Sequence, residues 1–295
     1  MESAPLVSIV VITYNSSKSV LETLESARAQ SYTNLELIIT DDYSSDNTIE
    51  LCQQWIQENK SRFTRIGLIT TKKNTGVPSN INRGYRATEG KWVKVIAGDD
   101  ILLSDCIDNY IDYIRTNSDA KFLFAQTEVF GGTPEQNEFF STNVFNYKFF
   151  DLSAKEQYKY LISKDNCIPA STAFIHRETL LKQFDLFDER IPLLEDLPMW
   201  IRATKKGYRL FCIDKKTVKY RLSPSSLSTS ASTSSNYNLK YERSVALCYI
   251  HYQFKAKLKI HTLRALKTYF HHRAVLTDSK SHQFLWETLR WCIIA

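Results

Sequence analysis

Four short β-rich runs, each followed by a stretch of helical patterning, are the feature that most restricts how this chain can fold. They are Leu6-Val7-Ser8-Ile9-Val10-Val11-Ile12, Leu35-Glu36-Leu37-Ile38-Ile39-Thr40, Ile66-Gly67-Leu68-Ile69-Thr70 and Trp92-Val93-Lys94-Val95-Ile96-Ala97. Strands that alternate with helices at this spacing build βαβ units in a mostly parallel sheet. Between them, Ser19-Val20-Leu21-Glu22 and Asn47-Thr48-Ile49-Glu50 predict capping boxes, a hydroxyl or amide with Glu three residues on. Pro78 predicts the first turn of a third helix.

The runs end in polar groups: Thr13-Tyr14-Asn15, then Asp41-Asp42, then Lys72-Lys73-Asn74-Thr75-Gly76, then Gly98-Asp99-Asp100. Ligands of open α/β sheets sit outside the carboxyl ends of the strands. Asp99 and Asp100 have no adjacent Lys or Arg. At about 5 Å and an effective dielectric of about 20, two such charges repel by roughly 3 kcal/mol. A divalent cation removes that cost, and oxygen ligands suit Mg²⁺ or Mn²⁺. Taken alone, the pair also fits a turn or a helix cap ahead of the apolar run after Ser104. Convergence of three strand ends on one edge favours a site.

Four segments carry a resemblance: residues 7–15, Asp41-Asp42-Tyr43-Ser44-Ser45-Asp46-Asn47-Thr48, Asn74-Thr75-Gly76 through Asn82-Arg83-Gly84, and Gly98-Asp99-Asp100. In order and spacing they resemble a family 2 glycosyltransferase of the GT-A fold, most specifically at residues 41–48. The resemblance covers the first 105 residues, and more weakly extends to residue 230. It implies an α/β architecture, a Rossmann-like, mixed but mostly parallel sheet flanked by helices. It also implies roles. Thr13, Tyr14 and Asn15 cradle the base of a nucleotide-sugar, and Asp42 accepts from a uracil N–H. An unmatched buried donor or acceptor costs about 1–3 kcal/mol, so such a carboxylate discriminates well. Asp41 then serves a turn and Asp46 the following helix. Asp99 is given the ribose or a supporting place, and Asp100 the Mn²⁺ or Mg²⁺, with diphosphate and water as the other ligands.

Other residues leave two readings open. Lys72 and Lys73 either neutralise the diphosphate or are solvated. Arg83 reaches substrate or faces water. Asn82 binds the nucleotide-sugar or braces a loop, while Gly76 and Gly84 serve backbone geometry. In Glu195-Asp196-Leu197-Pro198-Met199-Trp200-Ile201-Arg202, Asp196 reads from its residues as a helix cap before a buried stripe of Leu197, Trp200 and Ile201. The resemblance instead makes it the catalytic general base of an inverting transfer, with Glu195 positioning and Arg202 bracing the helix by an ion pair.

One departure from the family pattern is plain. In Tyr220-Arg221-Leu222-Ser223-Pro224-Ser225-Ser226-Leu227-Ser228, Ser223 stands where a histidine is frequent. Tyr220 and Arg221 can still close over the site, with residues 223–235 as a lid or a linker. No G-x-G-x-x-G, Walker A or G-x-S-x-G pattern occurs, against dinucleotide oxidoreductases, P-loop NTPases and serine hydrolases. His176 is the only histidine before the last 60 residues and reads as structural.

The six cysteines are scattered without a C-x-x-C pair, which suggests buried thiols in a reducing compartment. The first strand begins almost at once, so no signal peptide is expected. No apolar run approaches the roughly 20 residues that span a bilayer. The charge is uneven: residues 236–295 carry ten Lys or Arg against three Asp or Glu, about +7 of a net +6. That segment, helical and rich in aromatics, fits an anionic membrane face better than nucleic acid, or else packs on the core or a second subunit. Residues 131–150, irregular and aromatic, are where acceptor contacts are expected unless they are core beneath a long loop.

The expectation is thus a glycosyltransferase domain over 1–235 and a basic helical extension over 236–295. The enzyme is expected to be cytoplasmic, or peripheral on the cytoplasmic face of the inner membrane. It would move a sugar from a nucleotide-sugar, a UDP-sugar first, to a glycan or lipid-linked saccharide in polysaccharide biosynthesis, alone or as a homo-oligomer. The alternatives are a sugar-phosphate nucleotidylyltransferase, disfavoured because residues 7–15 lack a glycine-rich loop, and a non-catalytic nucleotide-sugar-binding subunit.

Overall fold

The computed structural model describes residues 4–141, 145–164, 166–222, 243–245, 247–248 and 251–252. The first half alternates strand and helix: β1 (Val7–Thr13), α1 (Val20–Arg28), β2 (Leu35–Asp41), α2 (Thr48–Asn59), β3 (Arg65–Thr70), α3 (Val77–Ala87) and β4 (Trp92–Ala97). Then follow β5 (Ile101–Leu102), α4 (Cys106–Thr116), β6 (Phe122–Phe130), α5 (Pro134–Phe139), α6 (Ala154–Leu161), β7 (Phe174–His176), α7 (Arg177–Phe184), α8 (Asp196–Lys205) and β8 (Leu210–Arg221). The eight strands form one sheet in the order β3-β2-β1-β4-β7-β6-β8-β5. β3, β2, β1 and β4 are mutually parallel, β7 runs antiparallel to β4 and β6, and β8 lies parallel to β6.

The parallel half is buried on both faces, as its apolar runs require. Val7, Ile9 and Val11 of β1, with Leu35, Leu37 and Ile39 of β2, pack in one cluster with Leu24 of α1, Trp55 of α2 and Tyr110 of α4. Val10 and Ile38 face the other way, into a cluster with Tyr85 of α3 and Trp200 of α8. That second cluster is aromatic: Trp200 meets Phe124 edge-on at 4.8 Å and Phe122 at 6.4 Å. Gly84 shows why α3 lies so close to the sheet, because a Cβ there would stand 2.4 Å from Val10 Cγ1.

Beneath this layer sits a buried charge. Glu36, on β2, accepts from Ser8 Oγ at 2.5 Å, from the backbone N–H groups of Glu89 and Gly90 at 2.5 and 2.9 Å, and from Arg65 Nη1 at 2.9 Å. Burial pushes its carboxyl up, but the Ser8, backbone and Arg65 donors outweigh burial and hold it below its ordinary value. One side chain thereby ties together β1, β2, β3 and the turn before β4.

Several local expectations are corrected. Neither Ser19 nor Asn47 makes a side-chain cap. Ser19 Oγ donates instead to the Gly98 carbonyl at 2.8 Å, and Glu22 takes Arg221 at 2.5 Å. The capping boxes formed are Thr133 with Gln136 and Ser153 with Glu156. The stretch 131–150 divides: Phe149 and Phe150 are core, whereas Phe139 is exposed at the end of α5. Arg202 makes no ion pair among the described residues; its guanidinium donates to the carbonyls of Leu186 and Phe184, which ends α7. His176 caps α7, a structural role.

Cys52, Cys106, Cys167, Cys212 and Cys248 are free thiols, and all but Cys212 are buried. Within the described residues no helix is long and apolar enough to cross a membrane. Of the extension expected from residue 236, Val245, Leu247, Cys248 and Tyr252 pack on the main core. Most of the basic segment lies outside the described residues.

Candidate active site

Because β1, β2 and β4 are adjacent and parallel, with Thr13 opposite Asp41 and Ile12 opposite Ala97, their last residues emerge on one edge. The Asp42 N–H donates to the Thr13 carbonyl at 3.0 Å and the Gly98 N–H to the Ile12 carbonyl at 2.9 Å, so the two acidic strand ends flank β1. Asn15 turns the chain in the left-handed region at φ 51°. Its N–H donates to Ser44 Oγ at 2.8 Å and its Oδ1 accepts the Ser45 N–H at 2.8 Å, which joins the loops after β1 and β2. Tyr14 and Tyr43 stand exposed on these joined loops.

Asp41 accepts Thr13 Oγ1 at 2.8 Å and the Ser44 N–H at 2.8 Å, closing the turn. Asp46 accepts the Thr48 N–H at 3.1 Å and the Ser17 N–H at 3.1 Å, at the start of α2. Asp42 is engaged more fully than its sequence suggested. Its buried carboxylate accepts Thr75 N–H at 2.9 Å, Thr75 Oγ1 at 2.5 Å, Gly76 N–H at 2.7 Å and Arg83 Nη2 at 3.1 Å. A carboxylate offers about four acceptor positions, so all are used. Arg83 is thus engaged by the protein rather than merely solvated: it also donates to Thr40 Oγ1 and Asn80 Oδ1, at 3.0 and 2.8 Å. Asn82 is buried, with Nδ2 on the Phe187 carbonyl at 2.9 Å and on Glu189 at 2.8 Å, while its Oδ1 accepts the Phe187 N–H at 2.9 Å. Its side chain is occupied as a brace for the loop before α8, not turned toward a donor. Lys73 is exposed.

Past β4, Asp100 is 2% exposed and Asp99 half-buried. Asp100 Oδ1 accepts the backbone N–H of Arg221 at 2.9 Å, and the Arg221 Nε donates to the Asp99 carbonyl at 2.7 Å. The Arg221 guanidinium lies 4.5 Å from the Phe130 ring. Burial first, then the charge of Asp99, pushes the Asp100 carboxyl well up. Below them Lys94 is fully buried, its ammonium on the carbonyls of Val95 and Ser171; burial lowers it to about 8.

These residues fit a hard divalent cation. Asp99 and Asp100 are consecutive past β4, the charge of Asp99 acts on the buried Asp100, and among the described residues Asp100 Oδ2 receives no hydrogen bond. No group of three His, Cys, Asp or Glu lies nearby among the described residues. Such a cation would thus keep most of its ligands from water and phosphate, as Mg²⁺ and Mn²⁺ commonly do.

The antiparallel strand leads to the last group. β7 pairs with β4 as Lys94 opposite Phe174, so the residues leading into β7 lie toward the end of β4 that carries Asp99 and Asp100. In that lead-in, Asn166 Nδ2 donates to Asp196 Oδ2 at 2.5 Å. Asp196 opens α8 but does not cap it; its Oδ1 accepts only the next N–H, that of Leu197, at 2.6 Å. Glu195 occupies the cap position without a side-chain cap bond. Burial raises both carboxyls, Glu195 further through the charge of Asp196.

Residues 8–181 match the profile of Glycosyl transferase family 2. The chain belongs to that family. The family 2 chain is 27% identical over 225 residues to WfaP of Escherichia coli, a UDP-Glc:alpha-D-GlcNAc-diphosphoundecaprenol beta-1,3-glucosyltransferase, covering 76% of this chain and 80% of that protein. Among solved structures, S. aureus TarS 1–349 in complex with UDP-GlcNAc superposes with a TM-score of 0.64 at 18% identity, over 95% of this chain and 78% of that one. The mannosyltransferase PcManGT from Pyrobaculum calidifontis, in complex with GDP-Man and Mn²⁺, gives 0.61 at 16% identity, over 100% and 82%. The sheet is thus that of the GT-A fold, and the protein is a glycosyltransferase.

Two members of this family 2 site were not singled out from sequence. Asn166 lies in no motif; the only local signal is an Asn two residues before a buried Ile168-Pro169, which suits an Asx turn. The buried ammonium of Lys94 was read merely as part of a strand, since one Lys in an apolar run gives no hint of its carbonyl partners.

Proposed function

We propose that this glycosyltransferase is inverting and metal-dependent, and moves a sugar from a UDP-sugar to a lipid-linked or growing glycan acceptor in polysaccharide biosynthesis. The observation that carries the reading is that Asp42, Asp99 and Asp100 follow the ends of adjacent parallel strands, with Asp196 tied through Asn166 to the segment that leads into β7. The donor and acceptor in WfaP's name and the nucleotide-sugars bound by TarS and PcManGT agree with it in kind. In this reading the loop of Thr13, Tyr14 and Asn15 holds the base. A uracil N–H takes the place of Arg83 on Asp42, the longest of the four contacts there. Asp99 faces the ribose, Lys73 the diphosphate, and Asp100 holds Mn²⁺ or Mg²⁺, which when bound offsets charge on the departing diphosphate.

The acceptor hydroxyl forms a bond to the anomeric carbon as the bond from that carbon to the diphosphate oxygen breaks. Asp196, ionised, takes the hydroxyl proton, and the configuration inverts because attack comes from the face opposite the leaving group. Glu195 stands beside it to orient the acceptor.

Titration calorimetry with UDP, GDP and dTDP, with and without Mn²⁺, tests the donor half. UDP binding is expected to need Mn²⁺ and to weaken by at least about 100-fold in Asp100→Ala, a loss of about 2.7 kcal/mol. Binding of no nucleotide, or equal binding by the variant, sinks the reading.

We further propose that residues 236–295 hold the enzyme on the anionic cytoplasmic face of the membrane, at about 1 kcal/mol per basic residue near the surface. The protein should co-sediment with phosphatidylglycerol vesicles, release with salt, and ignore phosphatidylcholine vesicles. Sedimentation with neither would return the segment to packing within the chain or on a second copy, which light scattering would distinguish.

A further inference from the structure

We infer that Asn166 is the positioning residue of the base: its amide fixes the orientation of the Asp196 carboxylate and favours its ionised form. This rests on the reading of Asp196 as base. The amide is itself oriented. Its Oδ1 accepts the Ile168 N–H at 3.3 Å, so the NH₂ end is the one facing Asp196, where it donates at 2.5 Å. The reverse arrangement would set a carbonyl against a carboxylate.

The residues that follow Asn166 are tied to the core. Cys167 and Ile168 are buried, and the Cys167 carbonyl accepts the Asn146 N–H at 3.1 Å. Farther along, the Lys94 ammonium holds the Ser171 carbonyl, and Thr172 Oγ1 takes the Ala125 N–H at 3.1 Å. Asn166 is thereby held to the strand that ends in Asp99 and Asp100.

Asp196 receives one donor on each oxygen, Leu197 from its own helix and Asn166 from a separate segment. Two donors from different directions define the plane of the carboxylate and leave a lone pair on each oxygen for an incoming proton. Glu195 meets no donor from a separate segment among the described residues; its carboxyl takes its own backbone N–H. Among the described residues the titratable groups facing Asp196 are Glu195 beside it and the buried Cys248 thiol from the C-terminal residues. Neither donates a hydrogen bond to it. A donor to the charged form favours that form, and the base must be charged before attack.

The test compares Asn166→Ala, Asn166→Ser and Asp196→Asn with wild type. The readouts are UDP release from UDP-glucose and UDP-N-acetylglucosamine with Mn²⁺, UDP binding by calorimetry, and ¹³C titration of the Asp196 carboxyl, assigned by its loss in Asp196→Asn. Asn166→Ala should lower turnover by about 10–100-fold and leave UDP binding unchanged. It should also move both the acidic limb of the turnover profile and the Asp196 titration to higher pH, with partial return in Asn166→Ser. An unmoved limb and titration overturn the inference whatever happens to turnover, because a packing role alone would leave them in place. If Asn166→Ala fails to fold, the isosteric Asn166→Asp, which turns the donor into an acceptor, carries the same readouts and must move them at least as far. Wild-type turnover in Asp196→Asn would sink the base reading itself. In that event the ¹³C titration still decides whether Asn166 sets the charge of Asp196.

Discussion

Asp196→Asn is expected to lower turnover by about 10³-fold, within the 10²–10⁴ range of a general base and equivalent to about 4 kcal/mol of barrier. UDP binding in the presence of Mn²⁺ should be unchanged, because the group lies on α8 while the proposed nucleotide contacts come from the ends of β1, β2 and β4. The substitution keeps shape. An amide oxygen can still accept the Leu197 N–H now at 2.6 Å, so the start of α8 should survive. Turnover by mass-spectrometric detection of released UDP, paired with calorimetry, separates the two effects. A variant that loses UDP binding as much as turnover would place Asp196 in donor recognition, not in proton transfer.

The largest expected effect on stability falls far from the chemistry. Glu36→Ala should cost about 2–4 kcal/mol, since the buried Ser8 hydroxyl and the Glu89 and Gly90 N–H groups lose their acceptor, while the part-exposed Arg65 turns to water. Glu36→Gln keeps the volume but sets an NH₂ against donors, and should cost roughly 2–3 kcal/mol by leaving them unmatched. The pH dependence follows in sign. The folded carboxyl titrates below its ordinary value of 4.5, so the unfolded chain takes up its proton first as pH falls. The contribution of Glu36 is therefore complete above 4.5 and is lost below it as pH falls through the lower folded value. Urea unfolding at several pH values should show a wild-type midpoint that drops on the acid side. The Glu36→Gln midpoint should be lower at neutral pH and flatter between pH 5 and acid, by the rule just given. A parallel pair of curves would remove Glu36 from the account.

What could be read from sequence divides along the range of the interactions involved. The four parallel strands were legible because burial on both faces leaves runs such as Val7-Ser8-Ile9-Val10-Val11 nearly without charge. Their polar ends followed, since a parallel sheet must place Thr13, Asp42 and Asp100 on one edge. Strands β5 and β7, of two and three residues, carry too few side chains to show a period, and their pairing is set by distant partners. Glu36 interrupts its run without a sign that Ser8, Arg65 and the turn before β4 close around it. Ser19 and Asn47 met the capping pattern locally, yet tertiary partners claimed the neighbourhood: Gly98 took the Ser19 hydroxyl, and Asp46 took the donor at Thr48. Asn82 and Arg83 were legible as important and illegible in role, because two readings of a polar residue on a helix differ only in what the far side of the molecule supplies.

The bond between the Arg221 N–H and Asp100 spans 121 residues and sets an order in time. At roughly 5–20 residues per second, Asp100 is made about 6–24 s before the residue that holds its carboxylate. The parallel half of the sheet can collapse in that interval, but its acidic corner waits on β8. A nascent chain stalled after Asp100 and short of residue 221 holds the sequence of α1 and β4 and still lacks the clasp between Glu22, Asp99 and Asp100. Completion of the site is thus a late event of synthesis, withheld until the segments carrying Asn166 and Asp196 have already emerged.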